Sequence, residues 1–208
     1  MNEKSGHLNL GVEGMMALGA CGGFCAGYFS DNLAVALLVA FLAGALSALI
    51  YAFLTVTLMA NQNVTGLALT IFGSGLGNFY GGSISTILGI TNNSIPATAA
   101  AYKMPLVPFY DKLGAIGTIF FSHGCMFYIA IAIALISWYV LKKTRTGLSL
   151  RAVGENPATA DAAGINVTRY KYVATCLGGI IAGFGGLYYA VDYSNGLWDT
   201  QSFGDRGW

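Results

Sequence analysis

Between Asn32 and Tyr102 the chain carries no Asp, Glu, Lys or Arg, and two further stretches, Leu113–Leu141 and Tyr172–Val191, also lack them. A hydrocarbon core about 30 Å thick needs roughly 20 apolar residues in a helix, and each stretch is long enough. A soluble fold of this size has no interior that could hide so much uncharged chain. Composition agrees: 55% of the 208 residues are hydrophobic and 9% are charged, against about 25% charged in ordinary soluble domains. The expected fold class is an all-α, polytopic transmembrane helical bundle forming a single domain over residues 1–208.

The charges that remain are sorted. Lys142, Lys143, Arg145, Arg151, Arg169 and Lys171, six of the ten Lys and Arg residues, fall in the island Lys142–Lys171. Cations collect in cytoplasmic loops, so the island reads as a cytoplasmic connection between two spans. A net charge of +1, with no basic stripe interleaved with aromatics, speaks against a nucleic-acid partner. Cys21, Cys25, Cys125 and Cys176 all lie in apolar stretches and read as buried, inert thiols. Met1–Gly11 carries Glu3, Lys4 and His7 and lacks the basic start and apolar run of a secretory signal.

In chain order, a short polar start leads into GVEGMMALGACGGFCAGYF, and Asp31-Asn32 marks a turn. Leu33–Ala60 is long enough to span with tilt. Within it Ala40, Gly44 and Ala48 form a small-residue stripe where another helix can approach closely. Val64–Tyr80 is glycine-rich and short for a full span. Gly81–Ala115 reads as a long outer loop with Pro96, Pro105 and Pro108, plus Lys103, Asp111 and Lys112. Ile116–Leu141 returns to the island and Tyr172–Val191 crosses outward again. About five crossings follow, with the N-terminus in the cytoplasm and Asp192–Trp208 outside. Gly179, Gly183 and the Gly185-Gly186 pair signal close helix packing.

Inside the island, Asn156 suits an N-cap, Pro157 the first helical position, and Gly164 the left-handed residue after a helix end. So short a helix is marginal in water by itself and must be held by packing. The local signal leaves open whether it packs on its own chain or on a partner. Asn166-Val-Thr matches a glycosylation acceptor but lies on the expected cytoplasmic side, which discounts it.

From Arg145 onward, RTGLSLRAVGENPATADAAGINVTRYKY resembles the main cytoplasmic loop of permease subunits of bacterial ABC importers, in the simple-sugar and nucleoside branch. EKSGHLNLGVEGMMALGA and MPLVPFYDKLGAIGTIFFSHGCMFYIAIAI are similar to that branch too, so the likeness covers essentially the whole chain. The NLGVEGMM form looks more like nucleoside-type permeases than ribose-type ones. The resemblance implies a coupling helix, Pro157–Ala163, that docks on an ABC ATPase subunit. Arg151, Gly154, Glu155, Asn156, Pro157, Ala160, Asp161 and Gly164 form the implied coupling set, with Arg151, Glu155 and Asp161 as polar contacts or loop-fixing groups. The ATP chemistry would belong to the partner, because the chain has no GxxxxGK[ST] phosphate loop. Catalytic residues, cofactors and metals are not expected. The other implied partners are a second permease subunit, an extracytoplasmic substrate-binding lipoprotein and the membrane itself. Permeases of the branch are usually about half as long again, so a shortened form or a piece truncated at both ends is expected.

Asn9, Glu13, Gln62 and Asn78 are the candidates for the translocation path. An acidic group in a membrane helix is costly and normally faces water or a partner. Glu13 either lies hydrated near the cytoplasmic end of the first span, or belongs to a broken helix, Asn9–Gly14, beside the path. Asn61, Gln62, Asn63, Asn78 and Tyr80 could line a route for a polyhydroxylated substrate. Helix-end capping is the plainer reading for Asn61 and Asn63. His123 suits an interhelical hydrogen bond. Two other classes stand beside the ATP-driven permease: an ion-coupled secondary transporter, for which Glu13 and His123 are the titratable candidates, and a non-transporting remnant of a permease gene.

Overall fold

The computed structural model describes residues 2–88, 100, 124–194 and 196–198. Among the described residues a 3-10 turn, Glu3–Ser5, precedes seven helices: α1 (Val12–Ser30), α2 (Leu33–Ala52), α3 (Gln62–Leu88), α4 (Cys125–Lys143), α5 (Arg145–Glu155), α6 (Pro157–Ala162) and α7 (Val167–Tyr188). α2 and α7 each run on into a π-helical turn, Phe53–Thr57 and Tyr189–Tyr193. No strand occurs among the described residues. The all-α expectation is met, as it must be where lipid leaves backbone groups only their own segment to bond.

The turn after α1 is built as its residues suggest. Asp31 takes the left-handed conformation, φ 47°, and its N–H donates to the Gly27 carbonyl. Asn32 then caps α2, its Oδ1 accepting from the Ala34 N–H at 3.0 Å.

Small residues let α1, α2 and α7 close into the dense part of the bundle. Gly183 of α7 lies against Gly19 of α1 and against the Ala40 carbonyl oxygen, which a Cβ on Gly183 would approach to 2.6 Å. Gly179 meets Ala48 and the Gly44 carbonyl, and Gly186 meets Met16. The Ala40–Gly44–Ala48 stripe therefore receives α7, as its spacing predicts. Gly185 is the exception among the α7 glycines named in advance: its nearest neighbour is Met16 Cε, at 3.9 Å from a built Cβ. Between helices in lipid it is close packing, not removal from water, that supplies the attraction. α3 joins through α1, where Gly14 and Gly73 touch backbone to backbone. Phe24, Met126, Leu187 and Val191 fill the core, and Phe24 meets the Trp198 ring edge to face at 5.2 Å.

Two sequence expectations need correction. α3 is not short: it has 27 residues, about 40 Å at 1.5 Å per residue. The outer loop correspondingly does not begin at Gly81, because residues 81–88 are helical. Glycine costs a helix about 1 kcal/mol relative to alanine, but here Gly81 makes room for the Trp198 indole, which occupies the space a Cβ would need. Pro96, Lys103, Pro105, Pro108, Asp111 and Lys112 of the expected loop lie outside the described residues, as do His123 and residues 199–208.

Among the described residues three helices are long and apolar enough to cross a membrane: Leu33–Thr57, Cys125–Lys143 and Val167–Tyr193. α1 and α3 have spanning length, 19 and 27 residues, but glycines and polar groups dilute them. α4 leans out of the bundle. Met126 is its one buried residue, while Ile131, Leu135, Ile136 and Trp138 are exposed.

Candidate coupling surface and the polar cluster behind it

The island is mostly helical, and each bend in it has a local cause. α4 ends at Lys143, and Thr144 caps α5, its Oγ1 accepting from Gly147 N–H at 3.2 Å while its hydroxyl donates to the Val140 carbonyl at 2.6 Å. Gly147 fits into the elbow against Val140 and Leu141, where a Cβ would collide with backbone. Arg151 closes the elbow by donating from Nη2 to the Leu141 carbonyl at 2.5 Å. A cation at a helix C-terminus satisfies one of its orphan carbonyls and suits the dipole there. Arg151 thus ties α5 to the last turn of α4.

Asn156 ends α5 and starts α6. Its Oδ1 accepts from the Ala158 and Thr159 N–H groups at 3.1 and 3.2 Å, and Pro157 opens the helix. At the far end Gly164 is left-handed, φ 82°. Its N–H donates to the Asp161 carbonyl, and the Ile165 N–H donates to that of Ala160, the paired closure of a Schellman motif. α6 runs Pro157–Ala162, one residue shorter than expected, with Ala163 as its C-cap. Asn166 caps α7, its Oδ1 accepting from the Arg169 N–H at 2.9 Å.

Burial divides the coupling set. Ala160 is 4% exposed and packs inward. Pro157, Ala158, Thr159, Asp161, Ala162, Ala163 and Gly164 are exposed, as are Glu155 and Asn156. The outward face of α6 is therefore small and almost featureless, with Asp161 as its charge.

Behind α5 lies the N-terminal segment. Gly6 and Gly154 touch, with the Gly6 φ at 73°. From there the chain enters a hydrogen-bonded cluster at the same end of the bundle. Tyr51 donates its hydroxyl to the Leu8 carbonyl at 2.5 Å. The Gln62 Oε1 accepts from the Leu8 N–H at 3.0 Å, and its Nε2 faces His7 Nδ1 at 3.3 Å. His7 Nε2 lies 3.2 Å from Thr55 Oγ1, whose proton goes to the Tyr51 carbonyl at 2.7 Å. That chain of donors selects one state of His7: neutral, with the proton on Nε2 and Nδ1 accepting from Gln62. Burial lowers the His7 pKa below 6.5, and the charge of Lys171 lowers it further. Nothing local in the sequence marks His7 for this role, because its partners lie 48 and 55 residues away.

The path candidates are not brought together as one site. Asn9 Oδ1 accepts from the Gly11 N–H at 2.9 Å, in the irregular stretch before α1. Gln62 uses its amide to hold the N-terminal segment. Asn78 sits sixteen residues further along α3, about 24 Å away at 1.5 Å per residue, and its Oδ1 is buried without a hydrogen-bond partner among the described residues. Glu13, in the first turn of α1, is 6% exposed, and its Oε1 likewise lacks a partner. It does lie at the island end of its helix, but it is enclosed rather than hydrated. Asn61 behaves as a cap, with Oδ1 accepting from the Asn63 N–H at 3.0 Å.

The sequence profile of a family described as the permease component of the branched-chain amino acid transport system matches residues 1–205. The chain belongs to that permease family. It is 35% identical to the guanosine ABC transporter permease protein NupQ of Bacillus subtilis, over 97% of this chain and 65% of that protein. It is 35% identical to the nucleoside ABC transporter permease protein NupC of Lactococcus lactis, over 91% of this chain and 60% of that protein. Identity to the putative glucose ABC transporter permease protein TsgC13 of Haloferax volcanii is 33%, over all of this chain and 61% of that one. The permease thus spans between three fifths and two thirds of the length of these relatives. No solved structure matches it. Family membership and the three apolar helices make it a multi-pass protein of the cell membrane. The nucleoside and sugar permeases named here are the relatives that the sequence resemblance anticipates.

Proposed function

We propose that this chain is the membrane-spanning permease part of an ATP-driven importer for nucleosides or simple sugars, working with an ABC ATPase subunit. The observation that carries the reading is α6: a two-ended, capped helix whose outward face is small and exposed while Ala160 anchors it inward. Such a helix moves as one piece with α5 and α7, which is what a docking element needs to bias a two-state bundle. The relatives' names supply the substrate class. A second permease subunit and an extracytoplasmic binding lipoprotein complete the assembly. In this arrangement five helices cross the membrane, α1 and α3 among them. The N-terminus and the island face the cytoplasm, and ATP is hydrolysed on the partner. Among the described residues Glu13 and Asn78 are the path candidates that keep an unpartnered polar atom; Asn9 bonds Gly11 and Met15, and Gln62 shapes the path only by holding the segment beside it.

The test is Ala158→Arg in cells that take up labelled nucleoside through this transporter. Position 158 is exposed, so added bulk and charge leave the chain's own packing alone. Uptake is expected to fall at least tenfold with the membrane level of the protein unchanged. Undiminished uptake would remove α6 from the docking role. Uptake that collapses with a protonophore at constant ATP would replace the ATP-driven reading with an ion-coupled one.

A further inference from the structure

Between the end of α4, the inner face of α5 and the first turns of α7 lies a groove of about 660 Å³, within the range of small-ligand sites. Leu141, Leu150, Val173 and Leu177 give it an apolar body. Its polar end carries Arg169 and Tyr170, and no acidic residue lines it. The Arg169 side chain makes no ion pair or hydrogen bond among the described residues, while its backbone N–H donates to Asn166 Oδ1. The groove also sits at a defined height. It takes in Val140 and Leu141 of the last turn of α4, just before Lys142 and Lys143 end that helix's apolar run, and the Trp138 ring on the same helix lies 5.9 Å from the Lys142 ammonium. An apolar slot capped by an unpaired guanidinium, at the depth where lipid headgroups lie, is a polarity match for one class of amphiphile.

We infer that this groove holds an anionic phospholipid, with an acyl chain along Leu150, Val173 and Leu177 and the phosphate at Arg169. Basic pockets between membrane helices bind acidic headgroups through this combination of charge and slot. A further helix is a poorer occupant, since an apolar helix would leave the guanidinium without a counter-charge. The lipid would touch α5 and the Gly164–Asn166 link after α6. On the coupling role proposed above, it would thereby set how firmly α6 is held, but the site itself does not depend on that role.

The full chain in detergent, carrying Leu150→Trp as a reporter inside the groove, tests this. Phosphatidylglycerol brominated on its acyl chains is expected to quench the added fluorescence saturably, after subtraction of the parent protein. Half-saturation should come at a concentration at least tenfold lower than for brominated phosphatidylcholine. Arg169→Gln should erase the difference between the two lipids. Equal half-saturation for the two lipids, indifference to Arg169→Gln, or no quenching in a folded reporter would each overturn the proposal. Displacement of the lipid by millimolar inorganic phosphate would reduce the site to a simple anion site and overturn the acyl assignment. Absence of quenching with elution as a dimer would assign the groove to a second copy. If Leu150→Trp does not fold, Val173→Trp reports on the opposite wall with the same outcomes.

Discussion

Gly6 and Gly154 meet backbone to backbone: a Cβ on Gly6 would stand 2.9 Å from the Gly154 carbonyl oxygen, and one on Gly154 would collide with the Lys4 carbonyl. Through this contact the N-terminal segment and α5 form one body at the island end of the bundle. Gly154→Val should therefore undock the segment at a cost of about 1–3 kcal/mol, the usual range for overpacking. Thermal unfolding in detergent measures the loss, and trypsin cleavage after Lys4 should quicken in parallel. An unchanged melting curve with unchanged cleavage would mean that the contact yields without consequence.

The same segment should loosen in acid. His7 is held neutral, and its folded-state pKa lies below 6.5 because of burial first and Lys171 second. The folded state thus binds a proton less readily than the unfolded chain. Its contribution to stability is complete above about pH 6.5 and is lost as pH falls from there toward the lowered value, by about 1.4 kcal/mol for each unit of depression. Protonation also turns Nδ1 from an acceptor into a donor facing the Gln62 amide nitrogen. Hydrogen exchange in residues 2–10, corrected for its intrinsic pH dependence, should accelerate between pH 7.5 and 5.5 in the parent. In His7→Asn it should not.

Two glycines of α7 should respond oppositely to one methyl group. Gly183→Ala drives a Cβ into the Ala40 carbonyl and is expected to cost folded yield in membranes, with a fall in melting temperature of several degrees. Gly185→Ala meets only Met16 Cε at 3.9 Å and should be neutral or slightly stabilising, as alanine is the better helix former. Fluorescence-detected size exclusion of the two variants would make the comparison directly.

Arg151→Leu should open the elbow between α4 and α5. It removes a charged donor from the Leu141 carbonyl, and hydrogen bonds to charged groups contribute about 1.5–3 kcal/mol. Partial exposure of Arg151 puts the expected loss at the lower end of that range. Arg151→Lys should recover only part of it, since an ammonium on a flexible stem lacks the planar reach of guanidinium. Denaturation midpoints of the three proteins test the order.

What could be read in the sequence was what neighbours along the chain decide. Asn156, Pro157 and Gly164 mark the ends of α6 by rules that operate within four residues, and the structure builds those ends as expected. Asp31-Asn32 and the Ala40–Gly44–Ala48 stripe were legible for the same reason. Glycine was the ambiguous letter. At Gly81 it reads as a break, yet it stands inside α3 because a tryptophan more than a hundred residues later fills the space beside it. Which alanine of α6 turns inward was also hidden, since Ala158, Ala160 and Ala162 look alike until α5 and α7 are folded around them. His7 gave no local sign at all. The path candidates were chosen by residue type, and only long-range packing could separate Gln62, which is fully bonded, from Glu13 and Asn78, which keep a polar atom unspent.

The contact between Gly6 and Gly154 also imposes a schedule on biosynthesis. His7 and Leu8 can bond Tyr51, Thr55 and Gln62 as soon as α2 and the start of α3 exist, whereas the Gly6 contact waits for a glycine made almost 150 residues later. At about 5–20 residues per second, that delay is about seven to thirty seconds. During it, α1, α2 and α3 can enter the bilayer while Gly6 stands without its partner. The Gly6–Gly154 contact closes only once the island exists, and it fastens together parts of the chain made far apart in time.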